Sequence, residues 1–168
     1  LEVLRGSADR IILDLRNNPG GYLEVSQDIA GWFMEPGSVV VIESFGNGTE
    51  DKEYRTSGNG VLKNIPLVVL INEGSASASE ILAGALRDNR NIKLIGAKSF
   101  GKGSVQELSN LREGTSLKVT IAKWLTPSKK SIMNEGLEPD VKVELKKEDI
   151  ENLKDPQLEK AIEIIMEK

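Results

Sequence analysis

Apolar positions along this chain fall into two rhythms, and each marks a different kind of element. Short, mainly apolar runs occur at Ile11–Leu15 (IILDL), Val39–Ile42, Leu67–Ile71 (LVVLI) and Ile92–Ile95. Runs of that length fit strands whose two faces are both covered. Helical spacing appears at Tyr22, Val25, Ile29, Trp32 and Phe33, with Pro36 and Gly37 ending the helix. It returns at Ala78, Ile81, Leu82, Ala85 and Leu86, and again at Leu158, Ala161, Ile162 and Ile165. Asp155-Pro156 reads as an N-cap followed by proline in the first helical position. Residues 43–64 are polar and glycine-rich, a hairpin or surface excursion with EYRT as a weak strand. Val105–Leu108, Leu117–Trp124 and Val141–Leu145 read as strands, the last two alternating.

The order β-α-β-(β)-β-α-β, then β-rich sequence, predicts an α/β fold with a largely parallel buried sheet and a β-rich C-terminal part. At 168 residues the chain suits a single domain, 1–168. It opens with LEVLRGSADR, which reads as the middle of a longer protein. No apolar run approaches the roughly 18 residues of a spanning helix. The net charge of -4 offers no basic footprint for nucleic acid.

Two zeros in the composition narrow the chemistry: the chain has no Cys and no His. That excludes disulfides, thiolate nucleophiles, Ser-His-Asp triads and His-ligated metals. Acid–base work near neutral pH then falls to a carboxylate, a lysine or a tyrosine. No metal or other cofactor is implied.

Three serines, Ser75, Ser77 and Ser79, open the helix after LVVLI. Ser77 with Glu80 forms a capping-box pattern. The same turn also places a serine at the carboxyl edge of the sheet, beside free amides that can hold an oxyanion. The candidate base is Lys102, in the loop after the next strand. Glycines at 101 and 103 leave room there for backbone and substrate to approach. A lysine works as a base near neutral pH where apolar burial lowers its pKa from about 10.4.

Four segments resemble the carboxy-terminal processing proteases, also called tail-specific proteases, a family of Ser/Lys-dyad peptidases. They are ILDLRNNPGG, NEGSASASEILAGALRDN, GAKSFGKGSVQ and AKWLTPSKKSIMNEGLEPDV, in that order. The resemblance implies Ser77 as nucleophile, Lys102 as base and Gln106 as the residue that orients the lysine. It implies an oxyanion hole from the amide of Ala78 and one amide of the Gly20-Gly21 turn, either of the two. Asp88 and Arg16 are read as structural, through a cap or ion pair. The implied fold is a crotonase/Clp-protease-like β-α superhelix. The implied substrate is a protein or peptide, cleaved near its C-terminus through an acyl-enzyme. Members carry a PDZ domain and a preceding helical region, both absent from this chain, and act outside the cytoplasm, in the periplasm, cell envelope or thylakoid lumen. The helix at 157–167 packs on its own core or forms a homodimer interface.

Two rival readings share these residues. One is a non-catalytic binding or scaffold module on the same fold. The other is a nucleotide hydrolase, since Gly96 to Lys102 spells G-x-x-x-x-G-K after a strand, with Gly103 where Ser or Thr belongs.

Overall fold

A computed structural model describes residues 8–46, 48–110 and 115–167. Among the described residues eight strands form two four-stranded sheets. The first is parallel, in the order β1 (Ile11–Asp14), β4 (Leu67–Ile71), β5 (Lys93–Gly96), β8 (Val141–Lys142). The second is antiparallel, in the order β3 (Lys52–Arg55), β2 (Val39–Ser44), β7 (Ser116–Leu125), β6 (Ser104–Asn110). Among the described residues four helices accompany them: α1 (Leu23–Phe33), α2 (Ala78–Arg90), α3 (Lys147–Glu151) and α4 (Pro156–Met166).

Strand β4 shows why LVVLI carries no alternation: all five residues are buried. Its odd members, Leu67, Val69 and Ile71, join a large core with Leu82 and Leu86 of α2 and with Val40 and Val41 of β2. Its even members, Val68 and Leu70, meet Ala161 and Ile165 of α4 on the other face. Successive strand side chains point to opposite faces, so a strand covered twice must be apolar throughout. Helix α2 lies inside the large core and is buried from Ala78 to Leu86. The C-terminal helix therefore packs on its own sheet. It does so through only part of its stripe: Ala161 and Ile165 are buried, while Leu158 and Ile162 stay exposed.

Several expectations change on contact with the structure. The run at Val39 belongs to the antiparallel sheet, because β2 pairs with β3 and β7. The strand expected over Val141–Leu145 shrinks to Val141–Lys142. The short helix α3 was not anticipated; it has no buried residue and hence no apolar stripe to read. Leu117, Val119 and Ile121 alternate as expected but are exposed, so the alternation marked a strand without marking the core. The nucleotide-hydrolase reading fails, because Gly96 to Lys102 leads into strand β6 where a phosphate loop needs a helix N-terminus. Among the described residues no helix is long and apolar enough to cross a membrane.

Candidate active site

Because β4 lies between β1 and β5, all three parallel, the loops leaving their carboxyl ends emerge along one edge of the sheet. Those loops carry Gly20-Gly21, Ser77 and Lys102. The topology thus gathers every predicted site residue except Gln106 onto that edge, and Gln106 follows Lys102 on β6.

The turn around Ser77 is sharp. Ser77 stands at φ 56°, ψ −120° as the N-cap of α2, a backbone conformation that costs a non-glycine residue of the order of 1–3 kcal/mol. The surrounding hydrogen bonds hold it there. Ser75 Oγ donates to the Leu15 carbonyl at 2.7 Å and accepts from the Asn72 amide at 3.0 Å. The Ala76 amide donates to the Asn18 carbonyl at 3.0 Å. Asn17 and Asn72 are bonded twice, Asn17 N–H to Asn72 Oδ1 at 2.8 Å and Asn72 Nδ2 to Asn17 Oδ1 at 3.0 Å. Ser75 is thus a brace between the two loops.

Gly20 sits directly against this turn. At φ +91°, a Cβ added there would lie 2.5 Å from the Ala76 carbonyl oxygen and 2.7 Å from the Ala78 nitrogen. Only glycine lets the two backbones come so close. Its amide is already used, donating to Asn18 Oδ1 at 3.0 Å. The Gly21 amide has no partner among the described residues, and neither does that of Ala78, the first residue of α2. Two N–H groups without a partner among the described residues therefore lie in this region, one in the glycine loop that abuts the turn and one at a helix N-terminus. An apolar cleft of about 290 Å³ opens beside them, lined by Leu15, Gly21, Val25, Ile29, Ala78 and Leu82 among others.

Glu80 links this half of the site to the Lys102 loop. Its carboxylate is fully buried and accepts four hydrogen bonds. Oε1 accepts from Ser99 Oγ at 2.6 Å and from the Gly101 amide at 2.8 Å. Oε2 accepts from the Ser77 amide and the Lys102 amide, each at 2.9 Å. The capping box showed only the Ser77 bond. The other three donors lie 19 to 22 residues further on, and the only available signal was a carboxylate among apolar positions of a helix. Four donors around one carboxylate satisfy its charge without water.

The Lys102 loop is clamped by main chain. The Asn134 amide donates to the Gly101 carbonyl at 2.9 Å, and the Trp124 amide to the Gly103 carbonyl at 2.7 Å. A Cβ at Gly103 would lie 2.2 Å from the Met133 nitrogen. The room beside these glycines is filled by residues 132–136 of the chain itself, which corrects the expectation that it is left for substrate. The Lys102 side chain is exposed, so the apolar burial expected around it is not present. No hydrogen bond among the described residues joins it to Ser77 or to Gln106. Gln106 is also exposed, and it adjoins a register shift between Val105 and Gln106 in the β6–β7 pair. Asp88 and Arg16 are structural, as expected. Asp88 Oδ2 accepts from the Ser128 amide at 2.9 Å, and Arg16 pairs with Asp14 and Asp155.

Comparison with known proteins bears on the family and the fold. Residues 1–143 match the profile of Peptidase family S41. The chain is 48% identical over 137 residues to the carboxyl-terminal-processing protease of Synechocystis, covering 82% of this chain and 31% of that protein. It is 42% identical over 133 residues to a probable CtpA-like serine protease of Staphylococcus haemolyticus, covering 79% of this chain and 27% of that one. The solved photosystem II D1 C-terminal processing protease superposes with a TM-score of 0.77 at 35% identity, over 85% of this chain and 36% of that one. The tricorn protease, at 23% identity and a TM-score of 0.62, shares the fold over 95% of this chain and 15% of its own. The chain spans about a third of the length of the relatives it matches. On the match across residues 1–143, this chain belongs to Peptidase family S41.

Proposed function

We propose that this chain is a serine peptidase core that cleaves protein substrates near their C-termini with Ser77 as nucleophile and Lys102 as general base. The observation that carries the reading is a strained serine at the carboxyl edge of the sheet, with the glycine turn packed against it and the Gly21 and Ala78 amides unpartnered among the described residues. In this mechanism a neutral Lys102 Nζ takes the Ser77 hydroxyl proton as Oγ attacks the scissile carbonyl. The two amides bind the tetrahedral oxyanion. The substrate side chain beside that carbonyl enters the apolar cleft. Lys102 returns its proton to the leaving amine, and water then hydrolyses the acyl-enzyme. Substrate lying across Lys102 supplies the desolvation that a lysine base needs. Gln106 orients the lysine once that cover is in place.

Family resemblance extends the proposal to an extracytoplasmic setting and to a PDZ domain of the same parent chain as the partner that presents substrate. The test is degradation of an unstructured protein by the wild-type chain, Ser77→Ala and Lys102→Ala. The expected result is cleavage by the wild type alone. Equal cleavage by all three would reject the dyad. Substrate binding without cleavage by any of them would favour a non-catalytic module.

A further inference from the structure

The guanidinium of Arg16 is the meeting point of two distant segments. On its own strand end it binds Asp14, Nε to Oδ1 at 3.0 Å and Nη2 to Oδ2 at 2.7 Å. Towards α4 it makes a bidentate fork on the N-cap Asp155, Nη1 to Oδ1 and Nη2 to Oδ2, each at 2.8 Å. Nη1 also reaches Gln157 Oε1 at 3.0 Å. Gln157 is buried, and its Nε2 donates to the Val143 carbonyl at 2.8 Å. The Arg16 side chain is only 13% exposed. A planar fork held on two carboxylates and an amide has little freedom to move.

Arg16 is also the residue before the loop that carries Gly21. Asn17 and Asn18, which follow it, make the bonds to Asn72, Ala76 and Gly20 described above. Asp155 and Gln157 lie beyond residue 143, where the family match ends, yet they hold the root of the oxyanion loop. We infer that Asp155 and Gln157 are positioning residues that act through Arg16 to set the Gly21 amide against Ser77. The inference rests on the proposed peptidase reading for its catalytic consequence, and on geometry alone for its structural one.

The experiment compares Asp155→Asn and Gln157→Leu with Ile165→Ala. The last loosens α4 through its buried face and leaves Arg16 untouched. Amide resonances of Gly20 and Gly21 are followed by NMR, and the rate of Ser77 modification by a fluorophosphonate is measured in parallel. The expected result is that Asp155→Asn and Gln157→Leu shift both glycine amides and slow labelling about tenfold, less than the loss of a whole oxyanion donor. Asp155→Glu is expected to restore part of the rate. Ile165→Ala is expected to lower the melting temperature with the glycine amides and the labelling rate unchanged. Glycine amides that stay in place in Asp155→Asn would overturn the inference, as would labelling that merely tracks melting temperature across all variants. A wild-type chain that never labels at Ser77 would reject the peptidase reading, while the amide shifts would still decide the positioning role.

Discussion

The carboxyl edge of the parallel sheet and the hairpin arm of the antiparallel sheet are built to different standards. At the edge, three loops are tied by buried side chains: Ser75 to Leu15, Asn72 to Asn17, and Glu80 to Ser77, Ser99, Gly101 and Lys102. In the arm, residues 116 to 121 of β7 are all exposed, and so are residues 106 to 109 of β6. The candidate nucleophile and the two candidate oxyanion amides lie in the first region. Gln106 lies in the second, and the exposed Lys102 lies on the loop that joins β5 to β6. The difference indicates which half of the chemistry is preorganised. Oxyanion binding depends on dipoles fixed before the reaction starts, and that half is braced. The proposed base, Lys102, and Gln106 are exposed side chains with no hydrogen bond to each other among the described residues.

The comparison breaks most visibly at Glu80. Glu80→Gln keeps the shape but turns one acceptor oxygen into a donor facing donors. It should abolish activity and lower unfolding free energy by about 3 kcal/mol, read by denaturant titration and peptide hydrolysis. Next comes Gly20→Ala, whose Cβ would lie 2.5 Å from the Ala76 carbonyl oxygen. Displacing the Gly20-Gly21 turn should cut kcat by about 100-fold or more in a chain that still unfolds cooperatively.

A smaller effect follows from acid. The Arg16 guanidinium holds the Asp155 carboxyl below the usual carboxylate range. For Asp88, burial pushes the other way, but hydrogen bonds from Thr126 and Ser128 outweigh it and the carboxyl again lies low. A folded-state pKa below the unfolded value, about 3.9 for aspartate, contributes stability that is fully present above that value. The contribution is lost as pH falls through the folded pKa. Melting temperature should therefore hold level from about pH 8 to about pH 5 and drop below about pH 4, with a shallower drop in Asp155→Asn. The smallest effect belongs to the arm: Val119→Thr should change stability by less than about 0.5 kcal/mol. A loss above about 2 kcal/mol there would show that the arm is as tightly built as the edge.

Where the chain's local rhythm was decisive, the sequence was readable. The runs at Ile11, Leu67 and Ile92 became β1, β4 and β5, and their order put the serine and lysine loops on one edge. Asp155 was legible as an N-cap, and its Oδ1 accepts from the Leu158 amide at 2.9 Å. Its bond to Arg16, 139 residues away, was not. The same holds for Glu80, whose local bond was visible and whose three distant ones were not. Pairing partners escape a periodicity argument as well: the run Val39–Ile42 reads as a buried strand without revealing that it joins the antiparallel sheet. Glycine is ambiguous for a related reason. Gly20, Gly101 and Gly103 all signal close approach, yet what approaches is backbone of this chain at all three. Gly21 is preferred to Gly20 as the proposed amide donor because the Asn18 side chain accepts from the Gly20 amide, a bond that periodicity could not reveal.

The central claim is that Ser77, among three neighbouring serines, is the nucleophile and that Lys102 activates it. The most direct measurement is fluorophosphonate labelling of the wild-type chain and Lys102→Met, with the modified residue mapped by peptide mass spectrometry. The account predicts a single adduct on Ser77, formed at least about 100-fold more slowly in Lys102→Met. An adduct on Ser75 or Ser79, or equal rates in the two proteins, would contradict it.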